Sequence, residues 1–348
     1  MNIPKLQLFR YSATVLLAAA TMVTLGPGSA FAQNEVNLYT TREPGLIKPL
    51  LEVFSKQSGI KVNTVFVKDG LAERVRAEGS RSPADVLMTV DIGNLLELVQ
   101  QGVTQKLDSP VLNAAIPANL RDENGHWYAL SLRARLVYAA KSLNLKTITY
   151  EELADPKWKA KLCIRSGQHP YNTALISSYI AHYDVAAAEQ WLRGLKANLA
   201  RTPGGGDRDV ARDIVGGICD IGVANSYYIG LMRSGAGGPE QKKWGDGIDV
   251  VMPTFKNGGT HVNVSGVAIA ASAPHRAEAV KLLEYLVSDE AQALYASGDF
   301  EYPVKAGTKI DPIIAALGAL KIDPRPVIAG VAHLKLASEL VDKVGFNK

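Results

Sequence analysis

The 348-residue sequence has little net charge and lacks the usual signatures of an enzyme. Its formal net charge is +4, and loss of the first 32 residues, which hold two basic and no acidic side chains, lowers it to +2. A balance this close to zero argues against a nucleic-acid partner. Neither a phosphate-binding loop ending in Lys-Ser/Thr, a G-x-S-x-G elbow nor a Cys-His nucleophile signature occurs. Catalysis is therefore not the function that the sequence predicts.

Histidine and cysteine, the usual ligands of structural zinc, are also scarce. The six histidines are scattered and show no paired spacing such as H-x-x-x-H. The two cysteines, Cys163 and Cys219, permit one disulfide in an exported protein, and the alternative is two buried free thiols. We expect the disulfide, which would tie the segment around Cys163 to the strand that follows Cys219.

The N-terminal segment is typical of a secretory signal peptide. Lys5 and Arg10 form a basic start, residues 12–25 are apolar, and Ala30-Phe31-Ala32 is a small-x-small cleavage pattern. The apolar run is short for a membrane span, although a retained anchor is the alternative. We therefore expect cleavage after Ala32 and a periplasmic location.

Strand-like and helix-like apolar spacings alternate along the rest of the chain, which predicts an α/β fold with a parallel sheet covered on both faces. A late strand within residues 258–271 is expected to return to the first half. The sequence thus predicts two lobes around a hinged cleft. Their predicted bounds, after a signal peptide of residues 1–32, are 33–133 plus 259–305 for the N-terminal lobe and 134–258 plus 306–348 for the C-terminal lobe.

One stretch, residues 220–228, suggests where a ligand binds. Its first half alternates like a short buried strand, Ser226 offers a helix N-cap hydroxyl, and Tyr227 and Tyr228 follow. Ligands of open α/β sheets bind at the carboxyl ends of strands, and a helix N-terminus favours negative charge, including an ionised phenol. The alternative is an aromatic pair packed against the core.

An ordered set of motifs spans the mature chain. These are residues 39–43 (YTTRE), 84–91 (ADVLMTVD), 133–138 (RARLVY), 225–228 (NSYY) and 299–304 (DFEYPV). Together the motifs resemble those of the periplasmic ferric-iron-binding proteins of ABC importers, which have a transferrin-like, type II periplasmic binding protein fold.

The resemblance implies that Tyr138, Tyr227 and Tyr228 supply phenolate oxygens to Fe(III), which an inner-membrane ABC permease then receives. Fe(III) is a hard cation that anionic oxygen donors suit, and three phenolates would cancel its three charges within a closed cleft. The resemblance also implies a non-catalytic receptor, and we expect it to act as a monomer.

The first loop departs from the family pattern, because many relatives have a histidine where this chain has Glu43. Glu43 is either a carboxylate ligand or a solvated loop charge, and Tyr39 is either a ligand or a core aromatic. Arg42 could hold a synergistic anion such as carbonate, since guanidinium matches planar oxyanions, or form an ion pair. Water or a bound anion could fill the remaining coordination positions.

Three other functions stay open at this point, of which a purely structural interaction protein that binds no metal or small ligand is the weakest. A binding protein of the same fold could take an organic or oxyanion ligand, such as thiamine, a phosphonate or a polyamine, and use the tyrosines for stacking or hydrogen bonding. A periplasmic enzyme built on the fold is the rival from another class, although no catalytic constellation supports it.

Overall fold

The structure, a computed structural model, describes Met1 and residues 34–348. The predicted signal peptide and its cleavage site after Ala32 therefore lie, apart from Met1, outside the described residues. Within the described part of the chain, no helix has both the length and the apolar character needed to cross a bilayer.

Strands and helices alternate through the first part of the chain, as the apolar spacing predicts. The elements up to the long strand β5 are β1 (Glu35–Thr40), α1 (Pro44–Ser58), β2 (Lys61–Phe66), α2 (Leu71–Glu78), β3 (Val86–Thr89), α3 (Ile92–Gln100), β4 (Thr104–Gln105), α4 (Pro110–Ala115) and β5 (Tyr128–Ala140). The side chain of Asp91 accepts a hydrogen bond from the backbone of Asn94, so it caps α3.

Helices dominate the remainder of the described chain. Its elements are β6 (Leu162–Cys163), α5 (Pro170–His182), α6 (Val185–Ala197), α7 (Asp207–Val215), β7 (Ile221–Asn225), α8 (Ser226–Ser234), α9 (Pro239–Gly247), β8 (Ile248–Val251), β9 (Val262–Ala270), α10 (Arg276–Leu286), α11 (Asp289–Gly298), β10 (Tyr302–Pro303), α12 (Pro312–Ala315) and α13 (Leu334–Val344).

The strands form one curled sheet in the order β2-β1-β3-β9-β5-β7-β6, with β4, β8 and β10 paired at its side. The pairs β1–β2, β1–β3 and β6–β7 are parallel, whereas β3–β9, β5–β9 and β5–β7 are antiparallel. The sheet is therefore mixed, and the prediction of a parallel sheet was wrong at its centre. The reason is that β5 and β9 are long strands that run back through the sheet rather than parts of strand–helix–strand units.

Strand β5 changes partners halfway along its length. Residues 128–134 pair with β9, and residues 135–139 pair with β7. As expected, β9 returns to the first half of the chain, where it pairs with β3. Beside this crossing, the buried side chains of α5, α6 and α13 form a core cluster of their own with the second half of β5.

The turn between β7 and α8 differs in detail from the prediction. Helix α8 begins at Ser226, and Asn225 occupies the N-cap position without a side-chain cap. The Ser226 hydroxyl instead accepts a hydrogen bond from the backbone amide of Ala134, at 3.1 Å. The hydroxyl thus attaches the turn to the crossing strand β5, which competes with capping for the same oxygen.

The predicted disulfide between Cys163 and Cys219 is present, and both residues are buried. It lies beside the parallel pair β6–β7, in which Cys163 is opposite Gly222. A Cβ atom at Gly222 would come within 2.7 Å of the Cys163 carbonyl oxygen and 2.2 Å of a Val210 methyl group. Glycine is therefore required for this approach, which fixes the strand that leads to Tyr227.

Candidate metal centre

A cleft of about 250 Å³ lies between the β1–α1 loop and the first turns of α5 and α8. Side chains from both halves of the fold line it. They include Thr41, Arg42 and Glu43 from the loop, Arg133 from β5, Tyr171 from α5, Tyr227 from α8, and Asp299 and Glu301 beyond α11. The cleft therefore has phenol, carboxylate and guanidinium groups on its walls.

Two tyrosines, Tyr171 and Tyr227, line one side of this cleft, and the ring of Tyr228 packs against that of Tyr227. The hydroxyl oxygens of Tyr171 and Tyr227 are 3.5 Å apart, and the rings of Tyr227 and Tyr228 lie 4.0 Å apart at 32°. Each of the three residues is in the first turn of its helix, because α5 begins at Pro170 and α8 begins at Ser226. The amide dipoles at helix N-termini stabilise negative charge, so this position favours phenolate formation.

Tyr171 is the residue that sequence reasoning missed. Pro170 was an available signal for it, because proline favours the first position of a helix. With Pro170 at that position, Tyr171 falls in the first turn, as Tyr227 does in α8. The two phenols thus occupy equivalent places in two helices.

Tyr138, which the resemblance implied as a ligand, lies elsewhere. Its side chain is fully buried on β5, opposite Gly222, and its hydroxyl donates a hydrogen bond to the backbone carbonyl of Asn225 at 3.0 Å. It does not line the cleft. The structure therefore brings together Tyr227 and Tyr228 from the predicted set, and it leaves Tyr138 beneath their turn.

Burial raises the pKa values of Tyr138, Tyr227 and Tyr228. The pKa of Tyr227 is raised well above its usual value by burial and by the neighbouring Tyr171 and Tyr228. Burial also raises the pKa of Tyr228, which a hydrogen bond with Tyr227 partly offsets, and it raises that of Tyr138 strongly. The phenols are thus protonated at neutral pH until a cation displaces their protons.

Three arginines surround the ring of Tyr171. The guanidinium carbons of Arg165, Arg133 and Arg135 lie 5.3, 5.8 and 5.9 Å from the ring centroid. Arg133 and Arg135 are buried, and Arg165 is largely buried. The side of the cleft that carries Tyr171 is therefore rich in positive charge.

One buried carboxylate, Asp207, links two of these arginines to the tyrosine turn. Its Oδ2 accepts hydrogen bonds from Arg135 Nη1 and from the backbone amide of Asn225, both at 2.7 Å. Its Oδ1 accepts a longer bond, of 3.3 Å, from Arg165 Nη1. The sequence analysis did not single out Asp207, because nothing in its local pattern marks it as buried.

On the opposite wall, Glu43 is exposed and lies in the N-cap position of α1. Within residues 34–348 its side chain makes no hydrogen bond or ion pair. Glu43 lines the cleft, and none of the described side chains competes for its carboxylate. That places Glu43 in the same cleft as Tyr171 and Tyr227.

Arg42 is buried in an ion cluster. Its Nη1 donates to Asp299 at 2.6 Å, and its Nη2 donates to Glu301 at 3.0 Å and to Ser265 at 2.8 Å. Ser131 also donates to Glu301. Burial raises the pKa of Asp299 to about 6 despite Arg42, whereas Arg42 and Arg133 outweigh burial and lower the pKa of Glu301. The guanidinium of Arg42 is thus largely committed to carboxylates.

Tyr39 lies outside the cleft. It is buried on β1, its hydroxyl donates to Glu78 at 3.3 Å, and the guanidinium of Arg74 lies 4.8 Å from its ring. Burial and the nearby Glu78 raise its pKa. This is the environment of a core aromatic residue, which was the alternative interpretation of Tyr39.

Among the described residues, no three His, Cys, Asp or Glu side chains converge as metal ligands.

A model of the bacterial extracellular solute-binding protein family matches residues 39–293. The chain belongs to this family. Membership of it confirms the predicted class of an exported solute receptor. The predicted two-lobed α/β fold class is also confirmed, by the solved structures to which the chain is similar.

Several proteins to which this chain is similar have names that refer to iron. The Bordetella ferric binding protein is 65% identical, with a TM-score of 0.88 over 90% of this chain and 100% of that structure. A Trichodesmium protein solved with iron and citrate ligands is 40% identical, with a TM-score of 0.85 over 90% and 99%. Iron uptake protein A1 of Synechocystis sp. is 37% identical over 90% of this chain and 88% of its own length.

Proposed function

We propose that the protein is a periplasmic receptor that captures Fe(III) in the cleft and delivers it to an inner-membrane ABC permease. The observation that carries the proposal is that Tyr171 and Tyr227 line one cleft together with Glu43, with the ring of Tyr228 packed against that of Tyr227. The iron-related names of relatives with 37–65% identity support it. These relatives are named as binding and uptake proteins, so we infer a receptor without catalytic activity.

Three phenolates and one carboxylate form the ligand set that we propose for the iron. Tyr171 takes the place first given to Tyr138, because Tyr171 lies beside Tyr227 in the cleft and Tyr138 donates to a carbonyl inside the core. Glu43 supplies the carboxylate from the opposite wall. Hard oxygen donors of this kind suit Fe(III), and the three phenolates alone balance its charge.

A synergistic anion, such as carbonate, would contact Arg133 rather than Arg42. The Arg42 guanidinium already serves two carboxylates and a hydroxyl, whereas Arg133 donates only to backbone carbonyls. The buried Nε atoms of both arginines have no hydrogen-bond partner among the described residues, so the difference between them lies in the partners of their Nη atoms. Both arginines line the cleft, so the anion and the metal would share it.

The remaining expectations form part of the same proposal. The signal peptide is cleaved after Ala32, and the mature chain acts as a monomer without a nucleic-acid partner. Its lobes are residues 33–133 plus 259–305 and residues 134–258 plus 306–348. The change of partner along β5 at residues 134 and 135 supports the first of these boundaries.

The test is the visible spectrum of protein loaded with Fe(III). We expect a phenolate-to-iron charge-transfer band that disappears in a Tyr227→Phe/Tyr228→Phe double variant, together with loss of iron binding against citrate as competitor. Phe keeps the ring packing and removes the oxygen, so the comparison isolates the ligand atom. An unchanged band and affinity in the double variant would overturn the proposal.

The same preparation distinguishes iron from an organic or oxyanion ligand. Metal-free protein is titrated in a calorimeter with thiamine, a phosphonate and a polyamine. We expect no binding heat from these compounds, and saturable binding of one of them without metal would favour the alternative function.

A further inference from the structure

We propose that Asp207 is the positioning residue that holds the iron-binding phenols at a common point, and this inference rests on the proposed function. Tyr171 belongs to α5 and Tyr227 to α8, and 56 residues separate them in the chain. Asp207, on a third helix, is the carboxylate to which both helix starts are attached through buried hydrogen bonds.

A run of three glycines places Asp207 at this point. Gly205 has φ of +68°, and a Cβ there would lie 2.8 Å from a carboxylate oxygen of Asp209. The backbone amide of Gly206 donates to the same Asp209 oxygen at 2.7 Å. The chain therefore turns tightly into α7, whose first residue is Asp207 with no exposed surface.

The first arm of the network fixes the turn before α8. Asp207 Oδ2 accepts the backbone amide of Asn225 at 2.7 Å, two residues before Tyr227. The carbonyl of Asn225 accepts from the Tyr138 hydroxyl, so the peptide groups on either side of Asn225 both have fixed partners. The buried tyrosine that does not line the cleft thereby supports the turn that carries the other two.

The second arm fixes the start of α5. Arg135 Nη1 donates to Asp207, and its Nη2 donates to Asn172 Oδ1 at 2.5 Å. Asn172 is adjacent to Tyr171, and its own amide donates to the backbone carbonyls of Arg165 and Ser166. All the residues that relay this arm, Asp207, Arg135 and Asn172, are at most 2% exposed. A movement of Asp207 would therefore move Tyr171.

Asp207 also sets the charge around the phenols. It is the carboxylate that pairs with Arg135 and Arg165, and both guanidiniums lie within 6 Å of the Tyr171 ring centroid. Without its charge, two cations beside the site would be uncompensated and would repel a trivalent metal. Position and charge thus act together through the same carboxylate.

The experiment compares Asp207→Asn with Asp213→Asn. Asp213 is a matched control, since it lies on the same helix, is 2% exposed and pairs with two arginines, Arg201 and Arg212, that do not contact the tyrosines. Loss of groups that orient metal ligands typically weakens metal binding about 10–100-fold. We expect D207N to lose Fe(III) affinity within that range and to shift the charge-transfer band, while D213N stays within about threefold of wild type and keeps the band.

The two variants separate a positioning role from general destabilisation, because both remove a buried ion pair and only one touches the phenol network. Equal affinities and identical bands for D207N and D213N, in a wild-type protein that binds iron, would overturn the inference and leave the proposed function intact. A wild-type protein without a phenolate band would instead overturn both.

A second variant serves if D207N does not fold. Asn172→Leu cuts the link between Arg135 and α5 and leaves the contact between Asp207 and Asn225 in place. A shifted band and weaker iron binding support the network. Wild-type values for both would refute it.

Discussion

On the wall of the cleft formed by the β1–α1 loop, two carboxylates, Asp299 and Glu301, surround the single guanidinium of Arg42. On the wall formed by α5 and α8, three guanidiniums lie around Tyr171, and the carboxylate among them is Asp207. The second wall is therefore the positive one, although it is the one proposed to hold a trivalent cation.

This difference explains why phenols are suited to the site. A positive environment favours the ionised form of a ligand that must lose a proton, and burial alone would oppose that ionisation. The opposite wall is already negative, so Glu43 is the only ligand that it has to provide. The wall formed by α5 and α8 thus favours ionisation of the ligands, and the opposite wall closes over the metal.

The largest expected effect comes from breaking the cluster on the first wall. Replacement of Arg42 by Met leaves Asp299 and Glu301 buried without their cation. Removal of one partner from a buried ion pair typically costs about 3–5 kcal/mol of unfolding free energy, which urea denaturation would measure. The control is Lys48→Met, since Lys48 pairs with Glu52 at an exposed surface. A loss for R42M no larger than that for K48M would show that the cluster is not a stabilising element.

On the second wall, Tyr171→Phe is compared with Tyr138→Phe. We expect Y171F to weaken Fe(III) binding at least about 100-fold, or about 2.7 kcal/mol, and to reduce the charge-transfer band. Y138F, which removes a hydroxyl bonded to the Asn225 carbonyl, should keep most of the band. Citrate competition and the visible spectrum of both variants provide the measurement. The opposite ranking would restore Tyr138 as the ligand.

The smallest expected effect is on the pH dependence of the free energy of unfolding, for which Asp299 is compared with His261. Burial raises the pKa of Asp299 to about 6. The contribution of this carboxyl group to the free energy of unfolding is therefore present at low pH and is lost as the pH rises through 6. Burial, with Arg135, lowers the pKa of His261 to about 3, so its stabilisation is present above about 6.5 and is lost as the pH falls toward 3. The two groups therefore oppose each other between pH 4 and 6.

Urea denaturation between pH 4 and 7 tests this contrast. On acidification, we expect the free energy of unfolding of His261→Asn to fall by about 2 kcal/mol less than that of wild type. As the pH rises, we expect the free energy of unfolding of Asp299→Asn to fall by about 1–2 kcal/mol less than that of wild type. His261 lies at the crossing into β9, with Nδ1 2.8 Å from the Ser178 hydroxyl. Parallel pH curves for wild type and both variants would contradict the assignment.

The sequence predicted the elements that depend on local pattern. Apolar spacing located the helices and most strands, and the count of cysteines indicated the disulfide. The position of Tyr227 and Tyr228 at the start of a helix followed from one short motif. These features depend on neighbours in the chain, which is why they can be read from it.

The features that the sequence did not reveal depend on distant contacts. The local sequence pattern does not show which of Tyr138 and Tyr171 reaches the cleft, and only the sheet register shows that Tyr138 points into the core beside Asn225. Arg42 could not be assigned to an ion pair until Asp299 and Glu301, more than 250 residues away, were placed beside it. Asp207 is an ordinary helix-start residue by pattern.

The bridge between Cys163 and Cys219 has a consequence for the unfolded chain. Tyr171 lies eight residues after Cys163, and Tyr227 lies eight residues after Cys219. In the oxidised polypeptide the covalent path between the two phenols is thus far shorter than the 56 residues of backbone between them, and a shorter path costs less entropy to close. A freshly exported chain, once oxidised, would carry both hydroxyls on a short tether before any of the lobes has formed.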